Sequence, residues 1–158
     1  MSILRLGARA AMVLVVAVAA VFLLGPAVEA GNDSGQEAHV VKVIHEGYFN
    51  GAFNEQNTDA MARSFHQDFA IFSAKGEELA RYEIATWIDG IKKRRARSDF
   101  DPASTVYEGK VTVLDVTGGA ASAKVELRKD GKLVYTDYLS LLKFDSGWKI
   151  VAKVYHRH

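Results

Sequence analysis

Lys132–His156 reads KLVYTDYLSLLKFDSGWKIVAKVYH. Two runs rich in β-branched and aromatic residues flank Asp145-Ser146-Gly147, and such runs bounded by turn residues read as strands. A three-residue connection ending in glycine suits a hairpin whose last turn residue is left-handed. Upstream, Asp130-Gly131 is the two-residue type I′ signal and joins this hairpin to AASAKVELRK. TGG at 117–119 joins that run to STVYEGKVTVLDV. Connections this short force antiparallel neighbours, so the second half of the chain reads as a four-stranded meander. Strands of this length twist strongly.

The first half changes to helical period. Val41, Ile44, Tyr48 and Ala52 fall at i, i+3, i+7 and i+11, one face of a helix. Ser34 with Glu37 three residues on is a capping-box signature ahead of that run. Gly47 and Gly51 each cost about 1 kcal/mol of helix propensity relative to alanine, a cost that a close backbone approach would explain. Asn57-Thr58-Asp59 opens a short helix through Met61 and Phe65, ending at His66. FAIFSAKGEELA follows as a hairpin with Lys75-Gly76 in its turn. A third helix starts near Tyr82, with Ile84, Trp87, Ile88 and Ile91 as its apolar stripe. It closes with KKRRAR and stops near Asp101-Pro102, since proline disfavours helix in the residue before it. Three amphipathic helices must bury their stripes on one face of the sheet. The expected fold is α+β: three N-terminal helices on a strongly curved antiparallel sheet with a concave interior.

Residues 1–30 stand apart. MSILRLGAR is positively charged, AAMVLVVAVAAVFLL is apolar, and GPAVEA ends in small residues. That order describes a secretory signal peptide cleaved near Ala30; the apolar run is short for a membrane-spanning helix. The expected divisions are a signal peptide at 1–30, a flexible lead-in at 31–36 and a single domain at 37–158. The product would be exported, to a bacterial periplasm or the extracellular space, without a stable membrane anchor. The whole chain has 158 residues and no cysteine, so its core must stand without disulfides. Of its 20 basic and 19 acidic side chains, Arg5, Arg9 and Glu29 lie in the leader, leaving a balanced remainder. That balance argues against a general nucleic-acid or membrane-surface binder.

YFNGAFNEQNTDAMARSFHQDFAIF, followed by YTDYLSLLKFDSGWKIVAKVYH, resembles the putative lumazine-binding family of the nuclear transport factor 2-like superfamily, which also holds ketosteroid isomerase and the polyketide cyclases. The resemblance runs from Glu37 to His156. Its most specific part is Asp137-Tyr138-Leu139, Lys143, Trp148-Lys149-Ile150 and Lys153. It implies a cystatin-like α+β cone that pairs as a homodimer through the outer sheet face. It implies no cofactor and no particular activity, because this arrangement hosts enzymes and binders alike.

His66 and Asp68 are the first candidate catalytic residues. In this superfamily the end of the second helix and the following strand line the cone's mouth, where an imidazole could exchange protons near neutral pH. The alternative is a helix-terminal histidine, favoured by the dipole. A metal site is not expected, since His-x-Asp lacks a third ligand nearby. Tyr48, on the inner stripe of helix one, is core or a hydrogen-bond donor to a developing oxyanion, as a tyrosine on the corresponding helix is in ketosteroid isomerase. Candidate ligand-binding residues are Trp87, Tyr138, Lys143 and Lys153. Asp137 and Lys143 share strand parity; with Lys153 they form a cross-strand ion pair or present a lysine to an anionic ligand. Trp87 and Trp148 are core or stacking platforms. KKRRAR complements a helix C-terminus or forms a phosphate or membrane-surface patch. The His156-Arg157-His158 tail reads as mobile.

Two functions follow from these residues. One is an exported small-molecule-binding or accessory domain for an organic ligand. The other is a cofactor-independent isomerase, dehydratase or cyclase using His66 or Asp68 with Tyr48. A dimeric scaffold recruiting a protein partner is a third.

Overall fold

Tyr48 lies in the middle of a helix that changes pitch. In the computed structural model, which describes residues 33–158, α1 (Asp33–Val43) continues as an eleven-residue π-helical segment, Ile44–Asn54. The expected signal peptide and its cleavage point lie outside the described residues. Helix α1 spans Asp33–Val43 among the described residues, so Ser34 lies inside it rather than capping it. The wider π repeat puts Ile44, Tyr48 and Ala52 on one buried line. Runs of this kind are rare and often sit at functional sites.

The glycines of that segment explain how it packs. A Cβ on Gly47 would lie 2.0 Å from the Cβ of Ser64 on the next helix, and one on Gly51 would lie 3.1 Å from Met61 Cγ. Asn57 caps that helix, α2 (Thr58–Ser64), by accepting from the Ala60 N–H at 3.0 Å. Chain then turns directly into β1 (Phe65–Lys75), hairpins through Gly76 at φ +63° into β2 (Glu78–Glu83), and enters α3 (Ile84–Arg95). Helix α3 ends at Arg95 rather than near Asp101. Its basic end is largely occupied: Lys93 pairs with Asp89 at 2.7 Å, Arg97 forks onto Asp99 at 2.9 and 2.7 Å, and Arg95 donates to the Gln56 carbonyl at 2.8 Å. A 3₁₀ turn at Pro102–Thr105 leads to the meander of β3 (Glu108–Thr117), β4 (Ala120–Lys129), β5 (Lys132–Phe144) and β6 (Gly147–Arg157). Its turns carry positive φ at Gly118, Asp130, Gly131 and Gly147, as the turn chemistry requires.

The six strands form one sheet in the order β2-β1-β6-β5-β4-β3. One pairing departs from the expected antiparallel sheet. Strand β1 runs parallel to β6, with Ala70 opposite Ala152 and Phe72 opposite Val154. Their connection spans a hairpin, a helix and the whole meander, so no short turn dictates direction. The sheet is therefore mixed. Register shifts interrupt β1/β6, β3/β4, β4/β5 and β5/β6. Each such bulge sharpens local twist and bends the strand, and together they curl the sheet around the helices. The core joins the inner line of the first helix to Phe65, Phe69, Val125, Leu127, Leu139, Leu141 and Ile150.

The C-terminus is held rather than mobile. The His158 N–H donates to the Val134 carbonyl at 2.9 Å, and its ring lies 2.9 Å from Thr136 Oγ1. No helix among the described residues is long and apolar enough to cross a membrane.

Candidate functional site

Lysine rarely enters an apolar interior without a partner, yet Lys153 is only 6% exposed. A bulge puts it there. Strand β6 buries Trp148 and Ile150 with period two, which alone would turn Lys153 outward. Between β5 and β6 the register moves from Leu141↔Ile150 to Ser140↔Ala152, so Val151 is the extra residue. Beyond it the odd positions face inward. Lys153 then sits opposite Leu139, and Tyr155 opposite Asp137.

Asp137 is fully buried and takes part in a three-residue chain. The Tyr48 hydroxyl donates to Asp137 Oδ2, and Lys153 Nζ donates to the Tyr48 oxygen at 2.7 Å. Lys153 Nζ lies 3.3 Å from Asp137 Oδ1, within ion-pair reach, but Oδ1 has no well-aligned hydrogen-bond donor. Burial sets the proton affinities. Desolvation lowers the Lys153 ammonium below the ordinary lysine range, with Asp137 pulling against it. Desolvation also raises the Asp137 carboxyl, opposed by the Lys153 charge and by the hydrogen bonds from Tyr48 and Lys153. The Tyr48 phenol is held well above its usual value by burial and by Asp137, so it keeps its proton. All three shifts favour neutral forms, as expected where charge is poorly solvated.

Aromatic rings surround the amine. Nζ lies 5.0 Å from the centre of the Tyr155 ring, 5.1 Å from Tyr48, 5.6 Å from Trp87 and 6.0 Å from Phe53. Three of these, Phe53, Trp87 and Tyr155, together with Lys153 itself, line a cavity of about 420 Å³. Its remaining wall comes from Tyr135 and from the β1–β2 hairpin, where Ser73, Ala80 and Arg81 face it. Beside the cavity Tyr48, Phe65 and Trp87 pack edge to face or tilted, and Phe69 meets Phe65 edge to face and stacks on Trp87. The cone is thus filled by rings at its base and open above them. Its volume falls within the roughly 300–1,000 Å³ of small-molecule sites.

The other candidates lie elsewhere. His66 stacks on Phe144 with ring centres 4.8 Å apart and accepts the Asp68 N–H at 3.2 Å. The Asp68 side chain is 74% exposed, and neither residue lines the cavity. Both fall where β1 slips register between Phe65 and Ala70. The structure therefore separates His66 and Asp68 from Tyr48's site. Tyr138 is half exposed on the outer sheet face, opposite Val154. Lys143 keeps the parity expected of it but lines a different groove, near Gln36, Arg63 and Trp148. Trp148 is core, its Nε1 donating to Gln36 at 2.9 Å. Of the expected site residues, the cavity gathers Lys153 and Trp87, with Tyr48 directly behind them. Asp137 was legible only as a strand charge; Phe53, Tyr135 and Tyr155 carried no signal beyond being aromatic. Among the described residues no three acidic or histidine side chains converge as a metal site.

The comparisons agree with this architecture. The family model described as "Putative lumazine-binding" matches residues 36–156. A nuclear transport factor 2-like protein of unknown function from Shewanella baltica superposes with a TM-score of 0.63 at 25% identity, covering 79% of this chain and 95% of that one. One from Methylobacillus flagellatus gives 0.59 at 28% identity, over 82% and 94%. Among curated proteins, "Aldolase FrzH" from a Cladobotryum species is 24% identical over 108 residues, 68% of this chain and 81% of that protein.

Proposed function

The chain belongs to the putative lumazine-binding family of nuclear transport factor 2-like proteins, and from that premise we propose that it binds a small, flat organic molecule in the cone. One observation carries this: a buried amine set among aromatic rings that themselves line a cavity of about 420 Å³. Trp87 and Tyr155 line the space beside that amine, and aromatic contacts add about 0.5–1.5 kcal/mol beyond area burial. Lys153 supplies the polar contact that would fix orientation. The family's name suggests lumazine, a flat bicycle with carbonyl oxygens, as the first probe.

The test uses the two tryptophans. In Trp148→Phe, Trp87 is the sole tryptophan reporter. Saturable quenching of Trp87 by lumazine or by flat aromatic carbonyl compounds, with a matching rise in Tm, supports the reading. No response across such a panel defeats it.

A cofactor-independent lyase or isomerase is the second reading. It is favoured by the Asp137–Tyr48–Lys153 chain, an acid, a phenol and an amine in direct contact, and by the relative named as an aldolase. The acid of such an enzyme is then Asp137 rather than His66 or Asp68.

We also propose that the protein is exported after cleavage near Ala30 and pairs with a second copy through the outer sheet face, where Tyr138, Leu142 and Val154 are exposed. N-terminal sequencing of the secreted product tests the first. Light scattering tests the second, and a monomer mass at micromolar concentrations rejects it.

A further inference from the structure

We propose that Lys153 is a nucleophilic amine that condenses with the carbonyl carbon of an aldehyde or ketone held in the cone. This rests on the binding reading above and adds the chemical class of the ligand and the fate of its carbonyl.

The geometry has the three parts such a step needs. Its nucleophile stands at the cavity wall among aromatic rings, and burial lowers its ammonium below the ordinary lysine range. A proton acceptor stands beside it: Asp137 Oδ1, 3.3 Å from Nζ and without an aligned donor of its own. A proton donor touches both, the Tyr48 hydroxyl, whose oxygen is 2.7 Å from Nζ and whose proton is held by Asp137 Oδ2. A structural ion pair would need none of the third group and would gain nothing from an adjoining cavity. Such a buried pair is also often no more stable than apolar residues of the same volume.

The steps balance without an oxidant or a further reactant. The Lys153 ammonium passes a proton to Asp137. Its lone pair attacks the carbonyl carbon, forming C–N as the C–O π bond opens, and the oxygen takes a proton from Tyr48, which Asp137 restores. The new C–N nitrogen gives up one proton to the vacated carboxylate. The carbinolamine hydroxyl then leaves as water with that proton, and an iminium remains. One ammonium and one carbonyl compound give one iminium and one water. An iminium at that position draws electrons from the neighbouring carbon, which is the electronic demand of aldol cleavage and of dehydration.

The experiment treats the protein with 2-naphthaldehyde and sodium cyanoborohydride, which reduces an iminium to a stable amine, and maps the modified peptides by mass. Lys153 is expected to label at least about tenfold faster than any exposed lysine, reflecting a larger neutral-amine fraction. Tyr48→Phe, which keeps the ring, is expected to slow Lys153 labelling by a larger factor than it weakens Trp87 quenching by the aldehyde. Labelling spread evenly over surface lysines, with Trp87 still quenched, overturns the covalent step and leaves binding standing. Loss of both quenching and Lys153 labelling overturns binding as well. Because labelling is read in the unmutated protein, the result does not depend on whether a Lys153 variant folds.

Discussion

Lys153 Nζ and the Tyr48 hydroxyl oxygen lie 2.7 Å apart, both buried, although 105 residues separate them in the chain. A π-helical turn supplies one and a bulged strand the other. Asp137 touches both. Each member is costly to bury alone, and each touches the other two, although Asp137 Oδ1 has no aligned donor.

That mutual dependence predicts a strongly non-additive mutant cycle. Lys153→Met leaves Asp137 without its counter-charge, and Asp137→Leu leaves a buried ammonium; breaking a buried pair costs about 3–5 kcal/mol. The Asp137→Leu/Lys153→Met double variant removes both charges and is expected to recover most of that loss. Urea unfolding of all four proteins gives the coupling. Additive single losses would show that the pair is not energetically linked.

The pH dependence of Lys153→Met has a definite sign. Burial already raises the Asp137 carboxyl, with the Lys153 ammonium opposing it. Removing the ammonium lets the carboxyl rise further. A folded-state value above the unfolded one gives stability that is complete below the ordinary carboxylate range and is lost as pH rises through the folded value. Lys153→Met is thus expected to lie nearest the wild type in acid and to fall away toward neutral pH. Tyr48, also held up, keeps its proton throughout this window. Urea midpoints across the acid-to-neutral range provide the check, and a penalty that shrinks as pH rises would contradict the assignment.

The meander and helices were legible because local chemistry dictates them. Asp130-Gly131 and Gly147 adopt the positive φ that their turns demand, and Ile44, Tyr48 and Ala52 lie along the buried side of a helix, with Val40 rather than Val41 completing the line. The parallel β1/β6 pairing was not legible, because direction between distant strands is set by tertiary packing. The site was half legible for a sharper reason. Period two along β6 points Lys153 outward, and only the extra residue at Val151 reverses it. No residue type near Val151 announces a bulge. His66 and Asp68 do lie within ion-pair reach, Nδ1 to Oδ2 at 3.6 Å, but β1 slips register at that point and the pair sits away from the cavity with Asp68 exposed.

The glycines of the first helix predict opposite outcomes for the same substitution. A methyl at Gly47 would overlap the Ser64 Cβ at 2.0 Å, and forcing extra volume into a packed contact costs about 1–3 kcal/mol. A methyl at Gly35 meets nothing within 4 Å, and alanine there gains up to about 1 kcal/mol of helix propensity. Gly47→Ala is expected to lower Tm and Gly35→Ala to raise or hold it. A Gly47→Ala protein as stable as the wild type would mean that α2 sits farther away.

Cavity and mouth can be told apart by two substitutions. Ala80 lines the cavity from β2, opposite Ser73. Ala80→Phe places a ring in that space and is expected to abolish Trp87 quenching by lumazine or 2-naphthaldehyde, with the far-ultraviolet spectrum unchanged. His66→Ala removes the stack on Phe144 and the exposed contacts with Asp68; the stack is a contact of about 0.5–1.5 kcal/mol for aromatic pairs and less where partly solvated. It is expected to trim stability slightly and to leave ligand affinity within about twofold, since a neutral change costs well under the 1.4 kcal/mol of a tenfold effect. Titrating Trp87 fluorescence in both variants decides the matter. If His66→Ala weakened binding tenfold while Ala80→Phe left it intact, the ligand would sit at the bulged start of β1 and not over Lys153.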